Sequence, residues 1–220
     1  MSVSVRGRAF SFLVLAASAC LAFALAAAPA RADDPAAAFV QTNVQKGLVI
    51  LNNKSLSQDQ MRSQFRDFLT SLTDIKRIAL FTLGSARRTA PDADVNAFVD
   101  AFRDYAVAVY EARLGQYSGQ TLKVTGSSEV KPGDWIVTTQ LVDPNAKPGD
   151  QPIEVKFRVD QDGNRLAVID VSVVGVWLAI EERAQFTAFL GQNGNDIHKL
   201  IDHLNALTDA LKNGGGKQPM

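Results

Sequence analysis

The residue types that do chemistry are thinly spread in this chain, and their spacings exclude most of what they could do. Its two histidines, His198 and His203, stand five apart in a segment of helical pattern. They point to different faces and make a poor metal pair or proton relay. No H-E-x-x-H or G-x-S-x-G occurs. Gly115 to Gly119 reads G-Q-Y-S-G, which has the wrong spacing for a serine nucleophile. Asp160-Gln161-Asp162-Gly163-Asn164 resembles half of a calcium loop, but it lacks the ligand spacing and the closing Glu, and a hairpin explains it better. No Gly-rich phosphate loop follows a strand pattern, and no two carboxylates form a pair that spacing alone can place. The expectation is a protein that is not an enzyme and uses no cofactor and no metal.

The beginning of the chain carries a different kind of signal. Arg6 and Arg8 precede an apolar run from Ala9 to Ala28, and Ala30-Arg31-Ala32 stands just before Asp33-Asp34. A basic start, an apolar run and an A-x-A site predict a secretory signal peptide over residues 1–32, with an uncleaved membrane anchor as the alternative. The single cysteine, Cys20, falls inside it, so the mature part has no disulfide, no thiolate nucleophile and no Cys-ligated metal. The whole chain has a formal net charge of zero, and the leader holds three arginines and no acid. The remainder is therefore mildly acidic, which argues against nucleic acid as a partner. No second apolar run is long enough to span a bilayer. These features predict a soluble exported protein of the bacterial periplasm, with a single domain over 33–212 and a disordered tail over 213–220.

The elements that must position any site follow from periodicity. Phe39 to Leu51 has helical spacing. Ser57 with Gln60 three residues later forms a capping box ahead of the stripe Met61, Phe65, Phe68, Leu69 and Leu72. A short helix runs from Ile75 to Leu83 and stops at Gly84. A long one runs from about Asp92 to Gln116, with Val95, Phe98, Val99, Phe102, Tyr105, Val109 and Tyr110 on its stripe. After Gly119 the period becomes two. Strands are predicted at Thr121–Ser127, Trp135–Val142, Ile153–Val159 and through Val168–Ile180, with turns at Lys131–Asp134 and Asp162-Gly163. Two further helices follow, carrying Phe186, Phe189 and Leu190, then Ile197 to Leu211. The fold class is α+β: an antiparallel twisted sheet with helices packed on one face.

The last strand pattern poses the functional question. In VIDVSVVGVWLAI, Asp170 and Ser172 share one parity, while Ile169, Val171, Val173, Gly175 and Trp177 share the other, with no polar side chain. Helices alone can cover such a face, as in an ordinary closed core. A ligand or partner covering part of it is the other answer, and the pattern does not choose.

Three segments in order resemble a known family: IALFTLGSARRTA (Ile78–Ala90), YAVAVYEARLGQYSGQ (Tyr105–Gln120) and IDVSVVGVWLAIEERAQF (Ile169–Phe186). Together they are similar to the MlaC, or toluene-tolerance, family of periplasmic phospholipid-binding components of ABC transport systems. The chain departs from the family pattern at Ala86, Arg87, Val174, Trp177 and Glu182. The resemblance implies that the apolar sheet face leaves a lipid pocket between sheet and helices, with acyl chains inside and the headgroup at the mouth. It implies a monomer that carries phospholipid between an inner-membrane ABC lipid transporter complex and an outer-membrane lipoprotein complex, maintaining outer-membrane lipid asymmetry. Two tails of roughly 30 methylenes would cost on the order of 24 kcal/mol to expose to water, so such a carrier needs an apolar lining throughout. The expected lining is Phe65, Leu69, Leu72, Phe102, Val109, Val137, Phe157, Val171 and Val173. Arg87, Arg88 and Arg113 are the expected headgroup or partner contacts. A hopanoid or sterol-like cargo, an envelope adaptor with a closed core, and a hydrolase on a similar scaffold are the alternatives.

Overall fold

The computed structural model describes residues 34–114 and 117–213. The expected signal peptide over 1–32 and the tail from 214 onward lie outside the described residues. Four helices come first: α1 (Pro35–Leu51), α2 (Gln58–Leu72), α3 (Ile75–Thr82), a 3-10 turn at Gly84–Arg88, and α4 (Asp92–Leu114). Five strands follow, β1 (Thr121–Lys131), β2 (Asp134–Val142), β3 (Glu154–Asp162), β4 (Arg165–Val173) and β5 (Val176–Trp177), and then α5 (Leu178–Gln192) and α6 (Ile197–Lys212). The sheet is an antiparallel meander in the order β1-β2-β3-β4-β5.

Local chemistry sets the boundaries. Asp34 accepts hydrogen bonds from the backbone N–H groups of Ala36 and Ala37 and starts α1. Ser57 and Gln60 exchange the two bonds of the predicted capping box at α2. The turn between β1 and β2 places Pro132 ahead of Gly133 at φ +80°, the geometry of a type II turn. Gly163, at φ +57°, opens the two-residue link between β3 and β4.

Beyond Ser172 the structure departs from the pattern read in the sequence. Val168–Ile180 is not one strand. It folds back at Val174-Gly175, which takes φ +50° and +84°, so that Val173 pairs with Val176 and Ser172 with Trp177. This is a type I′ hairpin, a turn that favours Asn or Asp in its first central place. Val174, a β-branched residue, occupies it under strain and is 70% exposed. Val174→Asn is therefore expected to stabilise the protein by about 1 kcal/mol, read as a rise in thermal midpoint of a few degrees.

A bulge at Ile169 on β4, opposite the step from Arg158 to Val159 on β3, changes the phase of β4. Phe157 stands opposite Val171, but Val159 stands opposite Val168, so Val168 and not Ile169 joins Val171 on the face turned to the helices. The opposite face is less wet than its charges suggest. Asp134 is fully buried, and Ser172 and Asp170 are nearly so. Arg158 clamps Asp134 through two hydrogen bonds of 3.0 and 2.7 Å, and Arg77 of α3 bonds to Asp160.

Two hydrophobic clusters result. One joins α3, α4, α5 and α6 around Leu83, Phe98, Phe102, Phe186, Leu200 and Leu204. The other joins α1 to the sheet through Ala36, Val40, Trp135, Val137 and Val159. Helix α2 belongs to neither as a buried member: it is amphipathic, yet none of its residues is buried.

Candidate functional site: a two-chambered apolar cavity

The stripe of α2 is turned toward space. A first chamber of about 280 Å³ lies among α2, α3, α4, β4 and the start of α5. A second, of about 550 Å³, lies among α1, α2, β1, β2 and β3. Phe65, Leu69, Leu72, Tyr110, Phe157 and Val168 line both, so the chambers meet along a common wall. Gly47 lets α1 approach α2 there: a Cβ at this position would come within 3.2 Å of the Phe68 ring. Tyr110 keeps 41% of its surface accessible, and this surface is cavity wall. Burial raises its phenol above the ordinary tyrosine value, and the charge of Asp170 adds to the effect.

The few polar groups of the first chamber are held in place by the fold. Asp170 Oδ1 accepts the backbone N–H groups of Val171 at 2.8 Å and of Ala179 at 2.9 Å. It thereby supplies from β4 the cap that Trp177 cannot give to α5. Burial pushes its carboxyl up, against the pull of these two bonds and of Arg158. Tyr105 donates its hydroxyl to Glu182 Oε1 at 3.2 Å. Glu182 Oε2 is closed off from solvent and has no hydrogen-bond partner among the described residues. Burial also raises this carboxyl, Glu181 adds to the rise, and the Tyr105 bond opposes it. Arg66 contacts Ser63 at 2.9 Å and Glu111 at 3.5 Å. Among the described residues it is the only basic side chain lining either chamber.

Seven of the nine apolar residues expected to line a pocket stand in these walls: Phe65, Leu69, Leu72, Phe102, Val109, Phe157 and Val171. Two do not. Val137 shares the sheet face with Phe157, but α1 lies over it and it is fully buried beside Val40, Trp135 and Val159. Val173 sits at the hairpin end of β4, 38% exposed, outside both linings. Arg87 and Arg88 are exposed on the 3-10 turn beyond α3, whereas Ile75 and Ile78 at the start of α3 reach the chamber. Neither arginine lines either chamber. The Arg113 side chain lies outside the described residues. The sequence reading missed Glu182, Asp170, Tyr110, Leu122 and Leu141. Tyr110 was on the α4 stripe and could have been named from it; the two acids carry no local signal.

The histidines are occupied elsewhere. His198 approaches Asp94 at 3.4 Å, and His203 stacks on Phe189 with ring centroids 4.5 Å apart. Among the described residues no three His, Cys, Asp or Glu side chains are grouped to hold a metal ion, and no helix is long and apolar enough to cross a membrane.

The model of the MlaC protein family matches residues 41–206. The chain belongs to the MlaC family. The matched stretch begins within α1 and ends within α6, so it takes in the lining of both chambers except Phe39 and Val40. Among solved structures, this MlaC-family chain is similar to the phospholipid-binding protein from Ralstonia solanacearum, determined in complex with a phospholipid. The identity is 20%, the TM-score is 0.70, and the match covers 80% of this chain and 98% of that one. That likeness shows a shared fold, an open antiparallel sheet with helices against it, and the present MlaC-family structure has the same architecture.

Proposed function

We propose that this protein is a periplasmic phospholipid carrier. The observation that carries the reading is α2: a helix with an apolar stripe of Phe65, Phe68, Leu69 and Leu72, no buried residue, and two chambers where a packing partner would stand. Native proteins fill such volume closely, and pockets of several hundred cubic ångströms with predominantly apolar walls are ligand sites. Two chambers joined on one wall suit a forked lipid, one chain in each. A rigid polycyclic lipid would fill one chamber and leave the other empty, so the geometry favours phospholipid over a hopanoid or sterol-like cargo. The phospholipid complex of the Ralstonia solanacearum relative supports the same reading.

The carrier leaves its cargo unchanged, because neither histidine lines a chamber and the Tyr105 hydroxyl is engaged with Glu182. The leader pattern supports export. As a monomer, the protein would collect lipid at one membrane complex and deliver it to another, with an outer-membrane lipoprotein complex and an inner-membrane ABC transporter as the two stations, in the service of outer-membrane lipid asymmetry. Opening the chambers requires docking, since apolar burial of this size releases no lipid unaided.

Native mass spectrometry of the gently purified mature protein tests the reading. The expected result is a protein ion carrying one intact two-chain phospholipid, with no lysolipid or fatty acid formed on incubation. A lipid-free mass that stays so after exposure to phospholipid vesicles would overturn it in favour of a closed-core adaptor.

A further inference from the structure

The first chamber contains a group that apolar chains leave unsatisfied. Glu182, on the second turn of α5, has one carboxyl oxygen bonded to Tyr105 and the other, Oε2, buried with no partner among the described residues. A buried acceptor without a donor is costly, and in folded proteins such atoms are rare. Asp170 does not relieve it, because it serves as an acceptor itself, for the N–H groups of Val171 and Ala179. Arg66 does not relieve it either, being held by Ser63 and Glu111. The carboxyl's terminal torsion is broad, so a small turn offers either oxygen to the chamber. Among the described residues the charged lining around it is mainly acidic: Glu111, Asp170 and Glu182 against Arg66. This setting disfavours a bare anion and favours a donor.

We propose that Glu182, oriented by Tyr105, is a specificity site for a hydrogen-bond donor on the lipid cargo: an N–H or O–H group accepted by its carboxyl at the α5 side of the first chamber. The inference rests on the carrier reading above and adds to it a chemical selection. Two sources supply such a donor, an ammonium headgroup and a hydroxyl on the lipid body. Lipids that carry the same chains and lack the donor lose the contact and leave the acceptor orphaned.

The test is displacement of a fluorescent phospholipid from the purified protein by two matched pairs. Dioleoyl phosphatidylethanolamine and dioleoyl phosphatidylcholine share charge and chains and differ in the N–H donors. Dioleoylglycerol and its 3-O-acetyl ester differ in one hydroxyl. The donor-bearing member of at least one pair is expected to bind about tenfold more tightly, and the pair that discriminates identifies the source. Glu182→Leu removes an orphaned acceptor, so it should fold, should still bind the donor-free lipids, and should lose the preference. Glu182→Gln keeps a carbonyl acceptor and should retain part of it. Equal binding within both pairs, or a preference unchanged in Glu182→Leu, overturns this inference and leaves the carrier reading intact. Failure to bind any of the four lipids or the fluorescent phospholipid overturns both.

Discussion

Leu69→Trp is expected to strip the protein of lipid while leaving it folded. Leu69 lines both chambers and sits on a helix with no buried residue, so an indole ring there has space to enter. The ring takes volume at the wall that the two chambers share. If four methylenes per lipid are forced out, the loss is about 3 kcal/mol at 0.8 kcal/mol each, more than a hundredfold in affinity. Lipid per protein after purification, read by mass spectrometry, should fall to near zero. The thermal midpoint should be compared with that of delipidated wild type, because bound lipid itself raises apparent stability by mass action. On that comparison the shift should be a few degrees at most. Should the midpoint fall steeply while the folded fraction keeps its lipid, Leu69 faces close-packed protein, where an added ring costs about 1–3 kcal/mol, and the carrier reading loses its central observation. The same substitution at Val173 tests nothing about the cavity, since that side chain lies at the hairpin end of β4 outside both linings.

The second large effect lies on the opposite sheet face. Arg158→Met should destabilise the protein by about 3–5 kcal/mol, a fall in midpoint of roughly 10 °C or more. Asp134 is fully buried and Arg158 supplies both of its short hydrogen bonds. Lys131, at 3.5 Å, remains as a weaker partner and holds the loss toward the lower end. The effect should depend on pH in a defined direction. The Arg158 hydrogen bonds hold the Asp134 carboxyl below its ordinary range, with burial opposing them. A carboxyl depressed by folding contributes stability above the unfolded value of about 4, and that contribution fades as pH falls through the folded value. The gap between wild type and variant should therefore be widest near neutrality and narrow in acid. The double replacement Asp134→Leu with Arg158→Met should recover most of the loss, because two apolar side chains leave no unpaired buried charge. A gap that stays constant from pH 7 to pH 3 would show that packing of the arginine stem, and not the ion pair, was lost.

The sequence made the elements legible where local chemistry is strong. Ser57 and Gln60 marked the start of α2, Pro132-Gly133 and Gly163 marked two turns, and the α4 stripe carried Phe102 and Val109 to the cavity wall. Parity told which sheet face is apolar, but not which part of it a helix covers. Val137 and Phe157 are cross-strand neighbours on one face, yet α1 closes over the first and leaves the second open. That difference is set by where α1 lies, roughly a hundred residues earlier in sequence, and no window around β2 or β3 contains it. The phase of β4 was hidden by a single bulge, which exchanges Ile169 for Val168. The hairpin at Val174-Gly175 was hidden because its first central residue is valine rather than Asn or Asp. Glu182 and Asp170 could not be paired with a function from sequence, because their meaning comes from a cavity that only the packed chain creates.

The strand order also fixes a sequence of events in folding. Every strand of the meander pairs with its neighbour in the chain, so the sheet can zip through short loop closures at small entropic cost. The seat of α1 is the reverse case. Ala36 and Val40 must find Trp135, Val137 and Val159, a contact of long sequence separation that forms slowly. As the chain emerges from N- to C-terminus, α2 can meet α1 at Gly47 early, but the seat of Ala36 and Val40 is complete only once β3 has been delivered. Because α1 is one wall of the second chamber, that chamber is complete only with this late contact and is among the last parts of the molecule to be born.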